Sequence, residues 1–352
     1  MIHYRTSRSL GSGAFGNVLY GYNMKTHDEA AIKITKCDIG MTHMIREIEV
    51  YNALSGSPGF PRLVEVEIED NKIYMGMELL GKNLRELFIS QKKVFHLKTV
   101  AMFADQAFSR LQLLHSKGYV HCDVKPDNFC IGSLGNSNQI YLIDFGLSHK
   151  FTCNESLNFT GASSRFEGTT KFASIAAHTG KCIYPKDDLE SLVYTIIYFL
   201  KGKLPWKYDT TKSSSNTNKS MKRESVLYLK KTISVNELCE DLPEEIIDII
   251  HDIKSLNNWE MPNYSLYREK IRTLMSKMNM FYDYKYDWIQ RGIKPMFSFP
   301  SKLDAVSNDQ MFPEMKKRSN SKPLFPLPKF NQSPIKPLAK STSQFLPHSF
   351  MS

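Results

Sequence analysis

His121-Cys122-Asp123-Val124-Lys125-Pro126-Asp127-Asn128 puts an acid, a lysine and an amide at fixed offsets on one short polar stretch. Asp123 and Asn128 have the spacing of H-R-D-x-x-x-x-N, where the Asp orients or takes a hydroxyl proton and the Asn holds a metal ion. Short polar strings recur by chance, so the flanks decide. Downstream, Ile140-Tyr141-Leu142-Ile143 reads as a short buried strand that delivers Asp144-Phe145-Gly146. Upstream, Leu10-Gly11-Ser12-Gly13-Ala14-Phe15-Gly16-Asn17-Val18 reads G-x-G-x-x-G-x-V.

The residues on both sides of these glycines, Tyr4 to Leu10 and Asn17 to Tyr22, have strand character. The glycines therefore belong to a hairpin turn and not to the strand-to-helix turn of a dinucleotide fold. Without a Cβ, their backbone N–H groups can approach phosphates, although a glycine-rich turn with no ligand has the same string. Ala30-Ala31-Ile32-Lys33 follows, and an unpaired ammonium in such an apolar strand is costly. Lys33 thus calls for an anion, unless it snorkels from a strand end. A helix over Met41 to Leu54 offers Glu47 and Glu49 as partners. Glu47 is the choice, because Ile48, Tyr51 and Ala53-Leu54 then pack beside it and Glu49 points to solvent. Strands follow over Leu63 to Glu69 and Lys72 to Glu78, and Tyr74 to Gly81 passes from strand to loop. Leu84 to Ile89 and Thr99 to Lys117 have helical periodicity, with Val100, Phe103, Ala104, Ala107, Leu111 and Leu114 on one face. Further on, Ser234 to Ile253 and Tyr264 to Met280 read as helices, after a polar insert over Tyr208 to Ser220.

The order and spacing of glycine loop, Lys33, Asp123 loop and Asp144-Phe145-Gly146 resemble a protein kinase. Gly168-Thr169-Thr170-Lys171-Phe172-Ala173-Ser174-Ile175-Ala176-Ala177-His178 lies where most kinases carry A-P-E and resembles the G-T-x-R-Y-A-S-I-N-x-H of the casein kinase 1 family. Glu78 to Gly81, Asp187 to Leu192, Leu204-Pro205-Trp206 and Tyr282 to Trp288 continue the likeness, which spans Tyr4 to about Gln290. The resemblance implies an α+β, bilobal protein kinase fold. Residues 1–80 would form a small, mostly β amino-terminal lobe, 81–290 a larger, mostly α carboxy-terminal lobe, and 291–352 a disordered tail. It implies a Ser/Thr protein kinase using ATP and Mg2+. Leu10, Gly11, Gly13, Gly16, Val18, Ala31, Lys33, Met77, Glu78, Leu80, Cys130 and Ile143 would surround the nucleotide. Lys33 and Glu47 would pair, Asn128 and Asp144 would hold metal, Asp123 would orient the substrate hydroxyl, and Lys125 would offset phosphoryl charge. His121 would be structural, Phe145 would pack beneath Asp144, and Asp188 would brace the Asp123 loop.

The family favours protein substrates with acidic or phosphorylated residues upstream of the target. Its anion-binding positions fall on Lys171 and Lys222, with Arg165 and Arg223 nearby, and clustered cations offer charge-assisted hydrogen bonds to phosphate. Cys122 stands where the family has an arginine able to grip a phosphorylated activation loop, so activity independent of that modification is expected. Cys130 replaces a leucine beneath adenine. These departures keep a kinase-shaped scaffold without catalysis as the alternative reading.

Of the net charge of +10, the stretch from Arg291 to Ser352 carries +7, ten Lys/Arg against three acids, so the basicity belongs mainly to the tail. Nine prolines and many serines there cannot build a core. Met315 to Arg318 is either an import or acidic-partner patch or linker charge, and tail phosphorylation would restrain activity if the relatives' pattern holds. Few aromatics interleave with these cations, which argues against a nucleic-acid binder. Six scattered cysteines without a C-x-x-C pair point to reduced thiols in cytoplasm or nucleus. No apolar h-region, membrane-length run or lipidation signal is seen, and a monomer with no membrane insertion is expected.

Overall fold

The computed structural model describes residues 3–13, 16–133, 135–151, 168–206 and 219–289. Arg165, most of the polar insert and the tail from residue 290 lie outside the described residues. An amino-terminal β-sheet lobe stands on a helical carboxy-terminal lobe.

The first lobe is an antiparallel sheet of β1 (Tyr4–Gly13), β2 (Gly16–Asn23), β3 (Glu29–Lys36), β4 (Leu63–Glu69) and β5 (Lys72–Glu78), in the order β1-β2-β3-β5-β4. The antiparallel β1–β2 register runs on to Gly13 opposite Gly16, which places the glycines at the closing end of a hairpin, as expected, with Gly11, Gly13 and Gly16 in the paired strands themselves. Gly16 must be a glycine here, since a Cβ would lie 2.4 Å from the Ile34 carbonyl oxygen of β3. In β3, Lys33 pairs with Val18 on one side and Met75 on the other, which centres it in the sheet. Helix α1 (Cys37–Ala53) crosses the sheet on its buried face, starting a turn earlier than expected. Met44, Ile48 and Tyr51 point into the core at the i, i+4, i+7 spacing that lines one face.

The second lobe begins with α2 (Leu84–Ser90), capped by the Asn83 side chain accepting from Glu86 N. Helix α3 (Leu97–Ser116) is buried nearly all round and not along one face alone, because α5 (Pro185–Lys201) and α9 (Tyr264–Lys277) cover its other sides. Even Asp105, Gln106 and Arg110 are inside, with partners: Arg268 Nε donates to Asp105, and Arg110 Nε donates to Ile140 O at 3.0 Å. The hairpin-like pairs β6 (Tyr119–Val120) with β9 (His149–Lys150) and β7 (Phe129–Ile131) with β8 (Ile140–Leu142) hold the polar loops between them.

Beyond α4 (Ile175–His178) and α5, helix α6 (Lys219–Thr232) was not expected from the sequence, because its charged residues mask a weak apolar stripe. The helix expected over Ser234 to Ile253 is two, α7 (Val235–Leu238) and α8 (Glu244–Ser255). The break follows from Asp241 in the left-handed region and from Pro243, which precedes a helix start and cannot continue one. Among the described residues no helix is long and apolar enough to cross a membrane. No disulfide joins any two of the described cysteines.

Candidate active site

Lys33 Nζ donates to Glu47 Oε2 at 2.7 Å and to Asp144 Oδ1 at 2.8 Å, so one ammonium joins the sheet, α1 and the loop after β8. Glu47, and not Glu49, is the partner. It is 1% exposed. Burial pushes its carboxyl pKa up to about 7 against the pull of Lys33. Burial opposes the Lys33 charge too, but the two carboxylates outweigh it and hold its pKa above the ordinary lysine value. Burial also works against ionised Asp144, and Lys33 again prevails, holding its pKa below the usual value. His43, one turn before Glu47, adds a second tie: its Nδ1 lies 2.9 Å from Gly146 O.

Asp144 has a positive φ of 66°, and Cys122 one of 71°. Such strain in non-glycine residues persists only where surroundings over-determine it. Around Asp144 the determinants are Phe145, fully buried with ring centroids 5.0 Å from Tyr51 and 5.3 Å from His121, and the Lys33 bridge. Around Cys122 it is Asp188. Its Oδ2 accepts from His121 N at 2.6 Å and from His115 Nε2 at 2.9 Å, and its Oδ1 accepts from Cys122 N at 2.9 Å. His121 is sealed in, with Nε2 3.0 Å from Ile143 O and Nδ1 accepting from Asp123 N, which suits a structural imidazole better than a proton shuttle. The Cys122 thiol meets His149 Nδ1 at 3.4 Å, and burial, then nearby Asp188, Asp187 and Asp123, hold its pKa well above that of an ordinary thiol.

Asp123 is gripped on both oxygens. Thr169 N donates to Oδ1 at 3.0 Å, and Lys125 Nζ donates to Oδ2. Lys125 also donates to Thr169 Oγ1 at 2.9 Å. Asn128 Nδ2 donates to Asp123 O at 2.9 Å, which fixes the amide with its oxygen on the other side. Gly168, at φ 109°, turns the chain so that Thr169 N meets Asp123, a conformation a side chain would strain. Asp123, Lys125, Asn128 and Thr169 thus form one hydrogen-bonded group, and Lys33, Glu47 and Asp144 another.

The other expected residues are placed as follows. Leu10, Val18 and Ala31, on β1 to β3, are half-buried; Met77, one residue before the end of β5, is buried. Glu78 accepts from Arg62 N at 3.1 Å, and Leu80 is half-buried in the loop that pairs onward to β7 through Gly81 N to Ile131 O at 2.9 Å. Cys130 is bridged to Asn83, and burial pushes its thiol up to about 12. Ile143 donates its N–H to Asn128 O at 3.0 Å. Gly11 pairs with Val18 in the β1–β2 ladder. The Lys171 ammonium lies 3.4 Å from the ring centroid of Tyr198, a cation–π contact. Lys222 is half-buried on α6, which packs on α4. Arg165 lies outside the described residues.

Sequence reasoning missed Thr169 as the residue that holds both Asp123 and Lys125, and Lys230 beneath it; Lys230 reads like its exposed neighbour Lys231, and no local signal separates them.

As to metal, among the described residues no three His, Cys, Asp or Glu side chains are grouped to hold an ion. Asp144 and Asn128 supply oxygen donors, a set suited to Mg2+, which keeps waters and takes most of its other ligands from substrate phosphates. Lys33 between two carboxylates, and an aspartate held on both oxygens, is the arrangement phosphoryl transfer asks of a protein: fixed charge and fixed position, with little covalent work. The protein kinase domain model matches residues 4–263, well over half of the chain, and its limits take in both of these groups. With the sheet lobe, the helical lobe and the Lys33–Glu47 bridge in agreement with that match, the chain belongs to the protein kinase domain family.

Proposed function

We propose that this chain is a Ser/Thr protein kinase of casein kinase 1 type, with residues 1–290 as its catalytic domain and 291–352 as a basic tail. The observation that carries the reading is Lys125 bridging Asp123 and Thr169, because it sets a cation two residues from the acid that would meet an incoming hydroxyl. In this reading Asp123 orients a serine or threonine hydroxyl, and Lys125 offsets charge on the transferred group. Lys33 and the β1–β2 glycines seat ATP, while Asn128 and Asp144 hold Mg2+. Bound there, Mg2+ would neutralise charge on the β- and γ-phosphate oxygens. Glu47 on α1 holds the Lys33 ammonium in the sheet, where it would meet the nucleotide phosphates.

Lys171, Lys222 and Arg165 are proposed to receive an acidic or phosphorylated residue upstream of the target. Support comes from α6 docking against the loop that bears Lys171, and from Trp206 Nε1 donating to Lys171 O at 2.8 Å, which fixes that backbone. The test is transfer from Mg-ATP to two peptides, one with phosphoserine three residues before the target serine and one with plain serine, against an Asp144→Asn blank. A rate advantage of the primed peptide that disappears in Lys171→Ala supports the full reading. Equal rates remove the priming preference and keep the kinase. Transfer no higher than the blank on these and on acidic proteins leaves a kinase-shaped scaffold.

A further inference from the structure

Lys230 is 1% exposed, and among the described residues no carboxylate lies within ion-pair distance of it. Burying an ammonium in this way is costly, so its contacts need explaining. Its Nζ donates to Thr170 O at 3.0 Å and to Ala173 O at 2.6 Å, and His178 Nε2 lies 3.2 Å away on a third side. The rings of Tyr194 and Trp206 close over it, with centroids at 4.8 and 5.1 Å. The acid whose charge acts on it, Glu190, is engaged elsewhere, accepting from Ile175 N and Tyr194 Oη–H.

The two carbonyls it holds belong to a loop with no sheet partner. Residues 169–173 make one turn, with Phe172 N and Ala173 N both donating to Thr169 O. The outward carbonyls are then served by side chains: Thr170 and Ala173 by Lys230, and Lys171 by Trp206. The same turn presents Thr169, whose N–H and hydroxyl hold Asp123 and Lys125. A neutral, apolar residue at 230 would fill the aromatic cage but leave the Ala173 carbonyl without its side-chain donor, and Thr170 O with His178 Nε2, 3.1 Å away, alone.

We propose that Lys230 is a positioning residue for phosphoryl transfer: from the core of α6 it clamps the 169–173 turn, and through Thr169 it sets Asp123 and Lys125. The kinetic part of this rests on the kinase reading above; the structural part does not. The test uses the full chain with Lys230→Met, which fits the cage without donors, and Lys230→Arg, which keeps the cation. Two readouts are taken: deuterium uptake of the backbone over residues 168–178, and kinetics with separate ATP affinity. Lys230→Met is expected to raise uptake in 168–178 without changing it around Lys33 and Glu47. It should lower kcat on the order of ten- to a hundredfold while ATP affinity stays within about twofold, since a small misplacement of the acid suffices. Lys230→Arg should recover part of both.

Unchanged uptake overturns the proposal. So does raised uptake with an unchanged kcat, which would make Lys230 a packing residue only. If Lys230→Met does not fold, Lys230→Gln, which is shorter and uncharged, decides: raised uptake over 168–178 with a partial loss of kcat and retained ATP affinity supports the clamp, and wild-type kinetics and uptake overturn it. If the wild type transfers nothing above the Asp144→Asn blank, the kinase reading fails, and uptake alone decides whether Lys230 holds the turn.

Discussion

Asp188→Asn should damage both stability and transfer. The carboxylate makes three hydrogen bonds: with His121 N and His115 Nε2 on one oxygen and with Cys122 N on the other. An amide has one oxygen. If that oxygen keeps the His121 and His115 bonds, the NH2 group faces Cys122 N–H, donor against donor. The change loses one charge-assisted bond, at about 1.5–3 kcal/mol, and strands a buried N–H at about 1–3 kcal/mol. The sum, roughly 2.5–6 kcal/mol, brackets the usual cost, about 3–5 kcal/mol, of breaking a buried charged group's partnership. It falls at a strained place, since Cys122 holds its φ of 71° against a preference of about 1–3 kcal/mol. Freed from Asp188, Cys122 should relax and carry Asp123 with it, and a displacement near 1 Å is worth about a hundredfold in rate. Urea unfolding followed by circular dichroism gives the first quantity, and kcat at saturating Mg-ATP the second. An unfolding midpoint equal to wild type together with kcat within about threefold of it would refute the reasoning, since neither the bond count nor the strain argument then holds.

Other consequences can be checked in the same protein. Burial raises the Glu47 pKa from 4.5 to about 7, so the folded state binds more protons than the unfolded one across that window. Stability from this group is therefore full below about pH 4.5 and lost as pH rises through about 7; thermal midpoints of wild type relative to Glu47→Gln should fall over that range, and parallel curves would count against it. Cys130, buried and with its thiol pushed up to about 12, should resist iodoacetamide in the native state while half-buried Cys37 reacts, and mass spectrometry showing equal labelling would contradict the burial. His43→Ala removes one tie between α1 and Gly146 O, worth about 1 kcal/mol, so transfer should slow by up to about fivefold and the thermal midpoint should fall by about 2–4 °C. A wild-type rate in that variant would discard the latch.

The strands of the first lobe were legible because period-two patterns and turn residues bound them: Leu63 to Glu69 and Lys72 to Glu78 are strands over the expected residues. Lys33 was legible for a physical reason, since a cation in an apolar strand needs an anion, and the helix after it supplies Glu47 at the position that faces the core. Other elements were not. Helix α6 carries too many charges for its apolar stripe to stand out, and of the two causes of the break between α7 and α8, Pro243 is visible in the sequence but the positive φ at Asp241 is not. Burial of α3 on nearly all sides depends on two later helices that arrive from far along the chain.

What the amino-acid sequence determined by itself was the set of chemical groups and their local spacing: Asp123 with Lys125 and Asn128, Asp144 after a buried strand, glycines between two strands. Local spacing is read within one element, where the period of a strand or the offset of a loop decides who sits beside whom. Beyond the expected Lys33–Glu47 pair and Asp188 brace, the tertiary structure alone decided which distant groups meet: Asp144 on Lys33, Thr169 on Asp123, and Lys230 inside the lobe beneath the 169–173 turn. Those contacts span tens to more than a hundred residues, and burial changes what each group is. A lysine that looks solvated in sequence becomes a donor with nowhere else to go, because in the core every polar atom must find its partner inside the protein.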